Sequence, residues 1–178
     1  IELDGARLEQ DPGGRLRALD GSTVLITGAG SDIFDGRVET QGTGEIIVDH
    51  PDLDLYGPSI EGNIRFRGGA AADFTDVSWT VGDDDTVRIE TAGPGGAALI
   101  RGVGDPSTIV LGGTLEIIPL DGYTPAAGDR IWLAQNLSSN SINVAGQFAA
   151  FAGVDVAPLE WRVVQTNAAV IDLVLACP

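Results

Sequence analysis

Short stretches in which apolar and polar residues alternate recur along almost the whole chain. The clearest lie at residues 15–19, 23–27, 44–48, 63–66, 77–81, 86–89 and 108–111. Alternation of this kind is typical of strands with one buried face, and helical apolar stripes longer than two turns are always interrupted by Gly or Pro. The pattern predicts an all-β protein.

These short segments follow one another in a repeating order. Segments of similar pattern begin at Ala6, Gly36, Gly62, Thr86 and Gly113, and so recur at a nearly regular interval. A second and a third apolar segment follow within each of the first four intervals, separated by turns rich in Gly and Asp. Three strands per interval predict one coil of a three-sided parallel β-helix.

A single coil cannot bury its inward side chains, so successive coils must stack. We expect a right-handed β-helix of about four coils over residues 1–112 and a C-terminal β cap over residues 113–178, in one continuous domain. A β-sandwich or jelly roll is the alternative fold, because strands at this spacing also suit antiparallel sheets. In the β-helix, one inward stack would consist of Leu8, Val38, Ile64 and Val87. A second inward stack would consist of Leu16, Ile46, Phe74 and Leu99. Three arginines would point outward: Arg37, Arg65 and Arg88.

The last third of the chain carries a distinctive succession of motifs, GGTLEIIPLDGYTPAAGDRIWLAQNLSSNSINVAGQF and then EWRVVQTNAAVIDLVL. It resembles the closing segment of large secreted bacterial β-helix repeat proteins: strand, Gly-aromatic-x-Pro-x-x-Gly-Asp, strand, Ser-rich turn, Gly-x-Phe, a tryptophan strand and a final apolar strand. The upstream LDGSTVLITGAGSDIFDGRVETQGTGEI is similar to their glycine-punctuated coils. The resemblance implies a secreted or cell-surface β-helix and specifies no activity.

Charge narrows the choice of partners. The chain has 26 acidic and 10 basic residues and a formal net charge of -16, which disfavours nucleic acid and anionic membrane surfaces. All ten basic residues are Arg, so Schiff-base chemistry on Lys is excluded. No apolar run approaches the length of a membrane helix. A start at Ile1 fits a removed export signal or a trimmed product.

The candidate sites are few. Asp83, Asp84 and Asp85 offer hard oxygen ligands for Ca²⁺, with a solvated acidic turn as the alternative; Asp32 and Asp35 form a second such candidate. The only cysteine, Cys177, excludes an internal disulfide and is expected to be a small buried residue or an intermolecular bridge.

Two further groups suggest chemistry or binding. His50 would act as a general base only beside a nucleophile, and the sequence identifies no such nucleophile. We therefore expect His50 to be part of a polar loop. Outward charges would meet on one side of the coils as they do in polysaccharide-cleaving enzymes, or would form a salt-bridged surface: Arg65, Arg67, Asp52, Asp54 and Asp76.

The large aromatic residues would form a sugar-stacking surface or fill the core and cap: Tyr56, Trp79, Tyr123, Trp132 and Trp161.

The sequence therefore favours a structural extracellular protein rather than an enzyme. Self-association by stacking of coil ends, or by donation of the strand that contains Ile1, Leu3 and Leu8, would give a homo-oligomer, a polymer or a filament. A carbohydrate-binding or adhesin module, with a polysaccharide partner, is the alternative function. A polysaccharide lyase or hydrolase is the third.

Overall fold

Twenty-one short strands form three sheets in a computed structural model of the chain, and no helix occurs in the part that is described. The described residues are 1–95, 99–138, 142–153, 160–167 and 170–176. Cys177 lies outside them. Most strands have three to five residues, a length set by the Gly and Asp turns between them.

Each sheet takes every third strand of the chain. Sheet 1 contains β1 (Glu2–Asp4), β4 (Thr23–Thr27), β7 (Glu45–Val48), β10 (Ile64–Phe66), β13 (Thr86–Thr91), β16 (Thr114–Pro119) and β19 (Ala150–Ala152). Sheet 2 contains β2 (Arg7–Glu9), β5 (Asp32–Phe34), β8 (Leu53–Tyr56), β11 (Ala72–Thr75), β14 (Ile100–Gly102) and β17 (Arg130–Asn136), followed by β21 (Val170–Ala176) and β20 (Glu160–Asn167). Sheet 3 contains β3 (Arg15–Ala18), β6 (Arg37–Thr40), β9 (Ser59–Glu61), β12 (Ser78–Thr80), β15 (Ser107–Leu111) and β18 (Ile142–Gly146).

Every pairing from β1 to β19 is parallel, which confirms the β-helix and rules out the sandwich. The described strands make six complete coils, with β19 beginning a further turn on sheet 1. The winding thus continues past Gly112. Among the described strands, antiparallel pairing occurs only where β21 joins β17 and β20.

The length of a coil varies along the chain. The inward residues of sheet 3 pair in the order Leu16, Val38, Ile60, Trp79, Ile109 and Val144. The sequence interval from Ile109 to Val144 is nearly twice the interval from Ile60 to Trp79. A constant interval therefore cannot assign strands to the correct sheets.

This variation overturns the first expected stack. Leu8 lies in sheet 2 and Val38 lies in sheet 3, so neither stacks with Ile64. Of the four expected residues, only Ile64 and Val87 stack together, in sheet 1, where Ile46 precedes them and Leu115 follows.

The second expected stack is wrong for the same reason. Leu16 lies in sheet 3, Ile46 in sheet 1 and Phe74 in sheet 2, while Leu99 directly precedes a strand of sheet 2. A strand this short carries the same alternation on any of the three faces, so the pattern identifies inward residues but not the sheet that holds them.

One apolar core runs along the inside of the coils. Trp79 lies between Ile60 and Ile109 and makes edge-on contacts with Phe66 and Phe74, with ring centroids 6.3 Å apart in both pairs. The Trp79 side chain is buried, and its indole N–H has no hydrogen-bond partner among the described residues. Dispersion and apolar burial therefore hold the ring in place rather than a polar contact.

The corner between sheets 3 and 1 is held by a buried asparagine. The Asn63 amide nitrogen Nδ2 donates to the carbonyl oxygens of Gly42 and Gly44, both at 3.0 Å, and its Oδ1 accepts from the backbone N–H of Thr86 at 2.8 Å. Gly42 and Gly44 lie in the turn one coil before, and Thr86 begins β13 one coil after. One side chain thus connects the same corner of three successive coils and satisfies backbone groups there.

The Gly-Tyr-x-Pro-x-x-Gly-Asp motif folds back on itself. The Tyr123 hydroxyl donates to Asp129 Oδ2 at 2.7 Å, and the same carboxylate oxygen accepts from the backbone N–H of Ala126 at 2.8 Å. Burial raises the pKa of Tyr123 well above its usual value, and the contact with Asp129 adds to the effect. The motif therefore forms a turn that is stabilised by its own hydrogen bonds and leads into β17.

Truncation of the inward residue Ile109, which is fully buried, is expected to lower the free energy of unfolding. Ile109→Ala should cost about 2–5 kcal/mol, because it removes methyl groups from a close-packed stack. Its neighbour Val110 is 41% exposed on the outer face of the same strand, and Val110→Ala should change stability by about 0.5 kcal/mol or less. Urea unfolding of both variants tests the assignment of Ile109 to the inward face. Equal losses of unfolding free energy in the two variants would contradict it.

Removal of the Asn63 side chain is expected to destabilise the corner that it connects. Asn63→Ala leaves three backbone groups without this side-chain partner, of which the Gly44 carbonyl is buried, and should cost about 1–3 kcal/mol in chemical unfolding. Asn143→Ala is the matched control, since Asn143 is exposed on the outer face of sheet 3. A loss no larger than that of the control would show that water replaces these hydrogen bonds without cost.

Candidate functional site

An aromatic column crosses the outer face of sheet 2. Phe34 and Tyr56 occupy the same position in β5 and β8, and their rings stack with centroids 4.7 Å apart and planes 10° apart. The guanidinium carbon of Arg7 lies 4.3 Å from the centroid of Phe34. We call Arg7, Phe34 and Tyr56 the aromatic column. Parallel pairing positions the two rings, because it repeats the same outward position about every 4.8 Å along the axis.

A row of aspartates runs beside the aromatic column. Asp32, Asp54 and Asp73 are paired in register in β5, β8 and β11, and Arg101 continues the row in β14. We call the three carboxylates the aspartate row. Arg101 forms an ion pair with Asp73 and a second, at 3.1 Å, with Asp52. Among the described residues, the carboxylates of Asp32 and Asp54 have neither an ion pair nor a hydrogen bond.

The outer face of sheet 1 is different, because its acidic residues are largely neutralised. Arg88 pairs with Glu45 and Glu116, both at 2.7 Å, and Arg65 pairs with Glu90. Arg67 and Asp49, next to this sheet, pair at 2.6 Å. These contacts confirm the expected outward arginines 65 and 88. Sheet 1 therefore presents a charge-paired surface, whereas sheet 2 presents two carboxylates that have no ion pair within the described part of the chain.

The electrostatics of Asp54 reflect this difference. Partial burial raises the pKa of the Asp54 carboxyl above its usual value, and the charges of Asp73 and Asp32 raise it further, against the opposing effect of Arg101. The charge of Asp54 in turn raises the pKa of Tyr56. The centre of the aspartate row is thus a position where added positive charge is favourable.

A short repeat in the sequence encodes both the column and the row. Asp32-Ile33-Phe34 and Asp54-Leu55-Tyr56 have the same pattern of Asp, inward aliphatic residue and outward aromatic ring, one coil apart. Asp73-Phe74-Thr75 repeats the pattern with a small residue in the third position. The aromatic column was missed from sequence because the assumed coil length did not match the spacing of this repeat.

The first coil is a second candidate site, because it pairs on one side only. Strands β1, β2 and β3 pair with the second coil, and no described strand pairs with their other edges. Leu3, Leu8 and Leu16 point inward here, yet they are only partly buried. Ile1 is 74% exposed. The residues expected to form an interface, Ile1, Leu3 and Leu8, therefore lie at an open end of the core.

The expected calcium ligands lie in a tight turn. Asp85 Oδ2 accepts a hydrogen bond from the backbone N–H of Gly82 at 2.8 Å, and the carbonyl oxygen of Gly82 accepts from the N–H of Asp85 at 3.1 Å. Asp83 and Asp84 are exposed. Within the described residues, no three carboxylate, imidazole or thiol side chains come close enough to hold one metal ion. The geometry assigns Asp85 to the turn and gives the calcium site no support.

The other charged candidates divide between two faces, although Asp52 lies close enough to Asp54 for their charges to interact. Arg65 and Arg67 belong to the side of sheet 1, and Asp54 belongs to sheet 2. Asp76 lies in a turn, where its φ is 56°. His50 also lies in a turn, where its Nδ1 accepts from the backbone N–H of Asp52 at 3.1 Å. This contact supports the reading of His50 as part of a polar loop.

The large aromatic residues divide between core and surface. Trp79 is in the core, Tyr123 is in the turn before β17, and Trp161 lies in β20. Tyr56 and Trp132 are each 37% exposed and belong to sheet 2. Of these five aromatic residues, Tyr56 and Trp132 therefore remain candidates for a stacking surface.

Comparisons with known proteins add no assignment. No protein-family model matches this chain, and a search of curated proteins finds no significant match. The resemblance to secreted β-helix proteins consequently rests on the sequence pattern. The described part of the chain has no helix with the length and apolar character needed to cross a membrane.

Neutralisation of Asp54 is expected to stabilise the protein at neutral pH. The pKa of Asp54 is raised in the folded state, so its ionisation opposes folding above that pKa, and this penalty disappears below the ordinary value of 3.8. Asp54→Asn should therefore raise the midpoint of thermal unfolding at neutral pH, with a gain that shrinks as the pH falls toward 3.8. Asp84→Asn, in an exposed turn, serves as the control. A lower midpoint for Asp54→Asn at neutral pH would contradict the assigned environment.

Proposed function

We propose that this chain is an extracellular structural protein whose copies associate end to end through the first coil. The observation that carries the proposal is that, among the described strands, β1, β2 and β3 each pair on one side only, next to inward leucines that are partly exposed. A row of unpaired backbone groups beside apolar side chains is a template for another β-structure. A coil is the structure that matches both features.

A second copy fits this end because all of its coils share the three-sided cross-section. A coil laid on β1, β2 and β3 would continue the parallel backbone hydrogen bonding and cover Leu3, Leu8 and Leu16. At the opposite end, β19, β20 and β18 are the last described strands of sheets 1, 2 and 3. Contact between unlike ends is heterologous, and such contacts propagate into filaments when they do not close a ring.

The charge of the chain favours this direction of growth. A net charge of -16 opposes side-by-side packing of copies, because like charges on long outer faces repel. Backbone hydrogen bonds and apolar contacts at the coil ends depend less on charge. The same acidity supports the proposed extracellular location, where a highly charged surface keeps a filament from clumping.

Charge placed inside the open end is expected to abolish association. The double variant Leu3→Asp, Leu8→Asp buries two carboxylates at the proposed contact and should remain monomeric at concentrations where the unchanged chain forms oligomers or filaments. Sedimentation velocity over a range of concentrations, with electron microscopy of the same samples, provides the measurement. Val110→Asp, on an outer face in the middle of the solenoid, should leave association unchanged.

Circular dichroism of the double variant establishes that the remaining coils are folded. Uniformly monomeric particles of the unchanged chain, at every concentration and with or without calcium, would contradict end-to-end assembly. If Val110→Asp weakens association as strongly as the double variant does, the contact between copies lies on a lateral face instead.

A further inference from the structure

We propose that the outer face of sheet 2 binds a glycan that carries free amino groups, with the ring of Tyr56 as the stacking surface and Asp54 and Asp32 as partners of the ammonium groups. This inference is independent of end-to-end assembly, because the aromatic column and the aspartate row lie on a lateral face.

The aromatic column is covered at one end and open at the other. Arg7 lies over Phe34, and Phe34 stacks on Tyr56. The next position in the column, one coil further, is Thr75, which pairs with Tyr56 and is far smaller than a ring. The ring face of Tyr56 toward the fourth coil therefore has space beside it about one coil deep. A sugar ring or a cation fits a space of this size against an aromatic face.

The charge of the face selects a positively charged ligand. Arg7 already shows that the column accepts a cation at its covered end. Arg101 pairs with Asp73 and Asp52, and Arg7, the register neighbour of Asp32, pairs with Glu9. Asp54 and Asp32 are therefore left without an ion pair among the described residues. An ammonium group over Tyr56 would meet both the ring and the carboxylate of Asp54. A polymer of acidic sugars would be repelled by the same residues.

The backbone of this face favours a glycan over a peptide. Strands β5, β8 and β11 are paired on both sides by neighbouring coils, so they have no free edge for an added strand. Recognition must therefore use outward side chains alone. A glycan offers flat apolar ring faces and amino groups along one chain, and the face repeats its aspartate about every 4.8 Å along the axis.

Isothermal titration with a fully deacetylated glucosamine oligomer tests the site. The oligomer should bind the unchanged chain, and Tyr56→Ala and Asp54→Asn should each weaken binding about tenfold, since each removes a ring contact or a charge-assisted hydrogen bond. Asp84→Asn removes one exposed carboxylate elsewhere and should leave the affinity unchanged. The N-acetylated oligomer, which has the same rings without the positive charge, should bind about tenfold more weakly.

Two results would overturn the proposal. Equal affinity of Asp54→Asn, Asp84→Asn and the unchanged chain for the glucosamine oligomer would mean that Asp54 does not hold an ammonium group and that the oligomer binds elsewhere. Binding of an oligolysine peptide as tight as that of the glucosamine oligomer, with the same loss on Tyr56→Ala, would identify a basic protein segment as the ligand instead. The monomeric Leu3→Asp, Leu8→Asp variant should bind the glucosamine oligomer as the unchanged chain does, so a failure of assembly and a failure of this site give different results.

Discussion

Parallel backbone hydrogen bonding between successive coils is the interaction on which the whole structure depends. Strands of three to five residues are too short to be stable alone, and each gains its partners only from the coils before and after it. The same pairing fixes the lateral position of each outward residue. The register that buries Ile60, Trp79 and Ile109 in one stack therefore also brings Phe34 over Tyr56 and Asp32 beside Asp54.

This dependence makes the ends of the solenoid unlike its middle. A middle coil has all its partners, whereas the first coil leaves Leu3, Leu8 and Leu16 partly uncovered. Toward the C-terminus, the antiparallel pair β20 and β21 covers the edge of β17 in sheet 2. The two proposals correspond to this division: assembly uses the open end, and glycan binding uses a face whose backbone is fully paired.

The fold was predictable from sequence, and the register was not. Alternation marked Ile46, Ile64 and Val87 as inward residues, and this assignment is correct whichever sheet a strand joins. Sheet identity depends on coil length, and the coil from Leu115 to Phe151 is twice as long as the coil from Ile46 to Ile64. The assumption of a nearly constant interval therefore joined Leu8 to Val38 across different faces. The Asp-aliphatic-aromatic repeat is visible in the sequence, but the stacking of Phe34 on Tyr56 depends on register, which alternation does not determine.

The variation in coil length is concentrated at the corner between sheets 1 and 2. In the second coil, β4 ends at Thr27 and β5 begins at Asp32, whereas in the fifth coil β13 ends at Thr91 and β14 begins only at Ile100. The sheets on either side keep their parallel pairing across both corners. Segments of different length can thus be inserted there without altering the pitch of the spiral, so this corner is where foreign loops or epitopes could be grafted onto an otherwise unchanged rod.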